Sequence, residues 1–175
     1  MDAAAPAIVT RQPGTYALIL HARSQEQIIV GRWGTLDVVP GYYIYVGSAF
    51  GPGGVSARIQ RHCREDKKRR WHIDFLREVT TPVQAWCSFS GRDLEHRWAG
   101  FFSRQRLFPH GGGLTAIPDF GCSDCRCESH LFATSSVPDL QRFGVLAGKQ
   151  AWVWKLQSVG DPGPSVETFD LGNAR

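Results

Sequence analysis

Apolar and polar positions alternate most clearly near the start of the chain. Over Thr15 to His21, Tyr16, Leu18 and Leu20 fall on one face, and this period of two predicts a β-strand. Gln27 to Val30 predicts a second, shorter strand, and the polar residues between the two suit a hairpin turn. The third strand is the run Pro40-Gly41-Tyr42-Tyr43-Ile44-Tyr45-Val46-Gly47-Ser48-Ala49, in which five aromatic or β-branched residues stand between glycines. Such side chains pack well on a pleated surface. Alternation puts Tyr43 and Tyr45 on one face and Tyr42, Ile44 and Val46 on the other, so one strand offers two phenols side by side. Gly47 ends the run and lets the backbone approach a neighbour closely. Short connections predict that these three strands form one mainly antiparallel sheet.

The pattern then changes period. From Val55 to Arg64, Val55, Ile59 and Cys63 share a helical face, with Arg58, His62 and Glu65 on a neighbouring one. Trp71 to Val79 predicts a second helix and Val83 to Phe89 a fourth strand. Asp93 is placed to cap a helix running to about Leu107, with Leu94, Trp98, Phe101 and Phe102 as its apolar stripe and Glu95 at the stripe's edge. Pro109 to Phe120 predicts a glycine-rich loop, Pro138 to Leu146 a helix, and Ala151 to Leu156 a last strand. The fold class expected is α+β: a small, mainly antiparallel sheet of three to four strands flanked by helices. Residues 1–13 read as a leader, 14–157 as a single domain and 158–175 as a tail with little order.

Composition narrows the class of protein. The chain has 175 residues, long enough to bury a core without a disulfide scaffold. No run approaches the ~20 apolar residues that a membrane span requires, and Met1 to Pro13 has neither the basic start nor the apolar core of a signal peptide. A cytoplasmic protein with no membrane partner is the expectation. The net charge is a mild +4, but Arg58 to Arg70 holds seven basic residues against two acidic ones, a local +5. A positive patch on a near-neutral background suits a polyanion such as nucleic acid, and the competing reading is a solvated surface.

Two triplets and a spaced set of side chains carry the sharpest signal. Gly14-Thr15-Tyr16 opens the first strand and Tyr45-Val46-Gly47 closes the third; a helical arginine, Arg58, and a helical glutamate, Glu95, follow. This order resembles the GIY-YIG nuclease superfamily. The resemblance is closest to an uncharacterised prokaryotic branch, through the Pro40–Ala49 run, Gly53-Gly54, Arg58, His62, Lys68, Trp71-His72-Ile73-Asp74, Phe120-Gly121, Ser123-Asp124-Cys125, Cys127 and Ser129-His130-Leu131. It covers about Gly14 to Phe132. Thr15 replaces the isoleucine of the name motif, and no match is found for an asparagine that some members carry late in the domain.

The resemblance implies a metal-dependent endonuclease that hydrolyses phosphodiester bonds in DNA, with branched or damaged DNA among the substrates it suggests. Tyr16 would take a proton from the attacking water, and Tyr45 would position Tyr16 or the phosphate. A free phenol has a pKa near ~10, so nearby cations would have to lower it. Arg58 suits a phosphate because its planar fork stays charged and donates paired hydrogen bonds. His62, one turn on, and His72 are further candidates for hydrogen bonds to a phosphate oxygen or a tyrosine hydroxyl. Glu95 would hold one Mg²⁺ or Mn²⁺. Gly53 and Gly54 permit close approach of a helix start to phosphate, and Lys67, Lys68, Arg69 and Arg70 would contact the DNA backbone or its structure rather than read bases. Trp71 is a candidate for stacking on a base, or a buried core residue. The alternative function is a non-catalytic nucleic-acid-binding or adaptor module that keeps the fold.

Five cysteines is an odd number, and three of them fall within Cys122-x2-Cys125-x-Cys127-x2-His130. These three thiols and an imidazole are a candidate zinc site. Buried thiols, or a group beside the active cleft, are the alternatives, and Asp124 is a lesser candidate for a second metal carboxylate. Cys63 and Cys87 read as core positions.

Overall fold

The computed structural model describes residues 11–89, 94–105, 113–139, 151–156 and 165–169. Strand β1 (Gly14–Ala22) is buried on both faces because it lies at the middle of the main sheet. Across that sheet the order is β6 (Thr115–Ala116), β7 (Leu131–Thr134), β4 (Gly41–Ala49), β1, β5 (Thr81–Ser88), β8 (Ala151–Lys155) and β9 (Ser165–Phe169). Every neighbouring pair is antiparallel. A separate ribbon pairs β2 (Glu26–Val30) with β3 (Gly34–Val38). The helices are α1 (Gly54–Cys63), α2 (His72–Leu76) and α3 (Leu94–Gln105).

The alternation of β1 and β4 divides the interior into two cores. Tyr16, Leu18, Leu20 and Tyr43 face one side, where α1 adds Val55 and Ile59 and the ribbon adds Val30, Leu36 and Val38. Ala17, Ile19, Ile44 and Val46 face the other, where α3 adds Trp98, Ala99 and Phe102. Trp98 and Phe102 are nearly inaccessible, so burying each contributes about 1.5–3 kcal/mol and fixes how α3 lies on the sheet. The two phenols side by side on β4 have different fates. Tyr43 closes the turn before its own strand, accepting from Val39 N at 2.8 Å and donating to Val39 O at 3.0 Å. Tyr45, at the middle of the strand, remains half-buried.

The α+β class and antiparallel sheet are as expected, but the sheet has seven strands rather than three or four. β6 and β7 are two and four residues long, too short to display a period. β9 lies in the stretch expected to carry little order. The expected pairing of the second strand with β1 is also corrected. Gly31 and Gly34, at φ +48° and +128°, turn the chain back after Val30, with Trp33 N bonded to Val30 O at 2.9 Å. That turn pairs β2 with β3. α2 is shorter than the expected 71–79 helix, its end tightening into three-residue turns at Glu78 and Val79. The Asp93 cap and residues 140–146 of the expected helix lie outside the described residues, as do residues 1–10 of the leader. No helix among the described residues is long and apolar enough to cross a membrane.

Candidate functional site

The central pairing of the sheet positions the tyrosines. In the β1–β4 register Tyr16 stands opposite Gly47 and Leu18 opposite Tyr45. Tyr16 and Tyr45 are therefore diagonal neighbours on one face, close enough for long side chains to share a partner. That partner is His62, from the buried side of α1, with ring centroids 5.6 Å from Tyr16 and 5.9 Å from Tyr45. Tyr16 Oη and His62 Nε2 are hydrogen-bonded at 2.8 Å. Gly47 makes this possible: a Cβ there would lie 2.5 Å from Tyr16 Oη and 2.6 Å from its Cζ.

Arg58, one turn before His62 on α1, lies with its guanidinium 4.4 Å from the centre of the Trp71 ring, and Arg61 lies 3.9 Å from the same ring. Trp71 is thus a platform for two cations, worth about 0.5–2 kcal/mol each, rather than a ring left bare for a base. The Arg58 charge acts on both tyrosines, in the direction that favours phenolate.

Glu95 arrives from the opposite face of the sheet. β7 stops at Leu131, and past it His130 O only accepts from Val46 N at 2.9 Å. No described strand covers Gly47 to Ala49 on that side, and the gap forms a notch. The first turn of α3 brings Glu95 to it, where the carboxylate accepts from Ser48 and lies 3.0 Å from His130 Nδ1. Burial would raise the Glu95 carboxyl, but the hydrogen bonds from His130 and Ser48 outweigh it and hold the group below its ordinary value. Its negative charge raises the pKa of both Tyr16 and Tyr45.

The electrostatics correct one expectation. Tyr16 is 2 % exposed, and burial, then Tyr45, push its phenol well above the ordinary value despite Arg58. Tyr45 is also raised, by burial first and Glu95 next. Local cations therefore do not by themselves produce a phenolate. His62 is held neutral: burial and then Lys67 lower it to about 3. Its Nδ1 has no hydrogen-bond partner among the described residues.

Other sequence candidates have structural employment. His72 Nδ1 accepts from Gly121 N at 3.1 Å, and its ring packs 5.5 Å from Phe120, so it anchors the 117–130 loop. Burial lowers its pKa. Gly53 and Gly54 take left-handed φ of +82° and +58°, and Val55 N is bonded to Gln12 O at 3.0 Å. A Cβ on Gly54 would collide with the carbonyls of Arg11 and Gln12. These glycines seat α1 on the chain before β1, and that helix start is not an open anion cradle.

The basic loop divides in two. Lys67 donates to the carbonyls of Arg61 and His62, and Arg69 pairs with Glu78. Lys68 and Arg70 side chains are exposed. Asp74, which sequence reasoning quoted without a role, organises the loop. It accepts from the two terminal guanidinium nitrogens of Arg61 at 2.8 Å and from the backbone N–H groups of Arg70 and Trp71. Burial opposes its ionisation, but these bonds overcome it and hold the carboxyl at about 2. A carboxylate three residues after Trp71, the N3 position of the helix, was the signal available in the sequence.

The Cys/His segment also differs from expectation. The four donor atoms within 4.8 Å of one another come from His96, Cys125, Cys127 and His130, a cluster that could hold a metal ion. Cys122 is not in that group; its Sγ lies 3.6 Å from Phe120 O. His96 takes its place because α3 ends its first turn beside the loop, a long-range approach that the spacing of 122–130 could not show. Cys87 is buried, its thiol pushed up to about 12 by burial, and Cys63 packs against the first core, both as expected. A cavity of about 920 Å³ opens beside α1 and the basic loop, lined by Gln60, Arg64, Lys67, Arg77 and Thr80 among others. Tyr16, Tyr45, Arg58 and Glu95 do not line it, so it is separate from the notch.

A family model described as Domain of unknown function DUF123 matches residues 15–151, most of the chain. No curated protein and no solved structure matches it.

Proposed function

For this chain, which belongs to the DUF123 family, we propose a metal-dependent endonuclease of GIY-YIG type that hydrolyses phosphodiester bonds in DNA. The observation that carries this reading is the meeting of Tyr16, Tyr45 and His62 on one face of the sheet, with Arg58 one turn from His62 on α1 and Glu95 reaching Ser48 on the Tyr45 strand, both charges acting on the two phenols. They come from two strands and from helices on opposite faces of the sheet. Hydrolysis needs an activated water, charge neutralisation at phosphorus and help for the leaving oxygen.

Arg58 would pair with a phosphate oxygen, leaning from the Trp71 platform that orients it. Tyr45, a half-buried residue next to the notch, would hold the phosphate or the incoming water with its hydroxyl. Tyr16 would receive the water's proton while its own leaves across the 2.8 Å bond to His62 Nε2. The imidazole is neutral and so has a site for that proton, while the burial that keeps it neutral also lowers its basicity, so the phosphate's negative charge would have to stabilise the imidazolium. The donor set at Glu95 fits a hard divalent cation: an ionised carboxylate with a side chain 22 % exposed, next to a serine hydroxyl. When bound there, Mg²⁺ or Mn²⁺ would supply charge neutralisation at the phosphate. Lys68 and Arg70 would hold the DNA backbone, with Lys67 and Arg69 keeping the loop in shape.

Incubation of the full chain with branched, nicked and plain DNA and Mg²⁺ or Mn²⁺ tests this reading. Cleavage that Glu95→Ala abolishes supports it. The burial of Tyr16 favours one other reading, a DNA-binding module without turnover. That reading gains if nothing is cut and Glu95→Ala binds DNA as tightly as the native chain.

A further inference from the structure

We propose that His96, Cys125, Cys127 and His130 form a closed tetrahedral site for zinc or a similarly soft divalent ion, with Glu95 as the carboxylate that orients His130. The four donor atoms come from two elements, the first turn of α3 and the 117–130 loop, and lie within 4.8 Å of one another. His96 Nδ1 is 3.2 Å from Cys127 Sγ, and His130 Nε2 is 3.3 Å from Cys125 Sγ. Ideal zinc bonds place neighbouring nitrogen and sulfur ligands ~3.6 Å apart, so both pairs sit near the edges of such a tetrahedron. No separation exceeds 4.8 Å, so side-chain movement of about 1 Å closes the rest of the tetrahedron. Two thiolates and two imidazoles select zinc-like ions over Mg²⁺ or Ca²⁺, which require oxygen donors.

The other imidazole nitrogen is already committed. His130 Nδ1 lies 3.0 Å from Glu95 Oε1, which fixes the proton on Nδ1 and leaves Nε2 to face Cys125. This is the carboxylate–histidine–metal arrangement in which the outer carboxylate orients the ligand. The loop is shaped for it: Phe120 O accepts from His130 N at 2.9 Å and Glu128 O from Asp119 N at 2.8 Å, closing the segment that carries both thiols. Gly121, at φ +77°, lets that loop pass His130, since a Cβ there would lie 3.1 Å from the His130 Cβ. With four protein ligands no position is left for water, so the ion would be structural. It would pin the start of α3 to the loop and hold Glu95 at the notch. The site itself does not depend on the nuclease reading, and its test reads metal rather than cleavage.

The full chain, kept reduced and stripped with a chelator, is titrated with Co²⁺ and then Zn²⁺. One equivalent of Co²⁺ with a thiolate charge-transfer band and d–d bands of tetrahedral intensity, displaced by one equivalent of Zn²⁺, is expected. His96→Ala and Cys127→Ser, at exposed and half-exposed positions, should each weaken Zn²⁺ binding by at least ~100-fold. Glu95→Ala should weaken it by ~10–100-fold, and Cys122→Ser should leave it unchanged. The proposal is overturned by no Co²⁺ uptake, by octahedral bands without thiolate character, or by loss of binding in Cys122→Ser with retention in His96→Ala.

Discussion

Gly47→Ala should disable the tyrosine pair by steric means alone. The added Cβ would sit 2.5 Å from Tyr16 Oη, 2.6 Å from Cζ and 3.2 Å from Cε1. Ordinary contact is about 3.5 Å, so the ring must retreat by about 1 Å. Tyr16 is 2 % exposed and His62 is inaccessible, so little room exists for that retreat. Overpacking of this kind costs about 1–3 kcal/mol. Loss of the 2.8 Å bond would leave the buried His62 with neither nitrogen paired, adding about 1–3 kcal/mol. The expected destabilisation is about 2–6 kcal/mol, read as a lowered urea midpoint with an unchanged slope. All three nearest atoms belong to Tyr16. In a Tyr16→Leu background the same alanine should therefore cost under ~0.5 kcal/mol. Equal costs in both backgrounds would refute this account of why a glycine occupies the position.

Tyr16→Phe should lower stability by about 1–3 kcal/mol by orphaning His62 and lower cleavage by at least ~100-fold; full activity would remove its hydroxyl from the mechanism. Arg58→Ala should also lose at least ~100-fold in cleavage, with DNA binding measured in parallel to separate affinity from turnover. Asp74→Asn should cost about 3–5 kcal/mol in thermal or urea unfolding, since it leaves the Arg61 guanidinium without its buried partner. Asp74 is depressed in the folded state, so its stabilisation is present above the ordinary carboxylate range and lost as pH falls from about 4 through about 2. Acid titration of unfolding should show that step in the native chain and not in Asp74→Asn. Lys68→Glu with Arg70→Glu should weaken DNA binding and flatten its salt dependence by about two charges with no change in stability, whereas Lys67→Ala should mainly destabilise. Equal salt slopes for these two variants would reject the division of the basic loop.

Part of this molecule was written in local pattern. The alternation in Thr15–His21 and Tyr42–Val46 separated the two cores correctly, because in a strand neighbouring side chains take opposite faces whatever else the chain does. The helical spacing of Leu94, Trp98, Phe101 and Phe102 likewise identified the buried stripe of α3 and left Glu95 at its rim. Spacing also put Arg58 and His62 one turn apart. What these positions could not convey was distance across the fold. β7 begins only at Leu131, one residue past His130, which leaves the notch through which a carboxylate from one side of the sheet acts on phenols from the other. His96 replaced Cys122 in the donor cluster for the same kind of reason. The protonation states were decided there too: the sequence supplied cations near Tyr16, but burial, a property of the packed chain, outweighed them and kept the phenol neutral. Local pattern sets which face a side chain takes, while solvent exclusion and long-range approach set what it meets and which charge it carries.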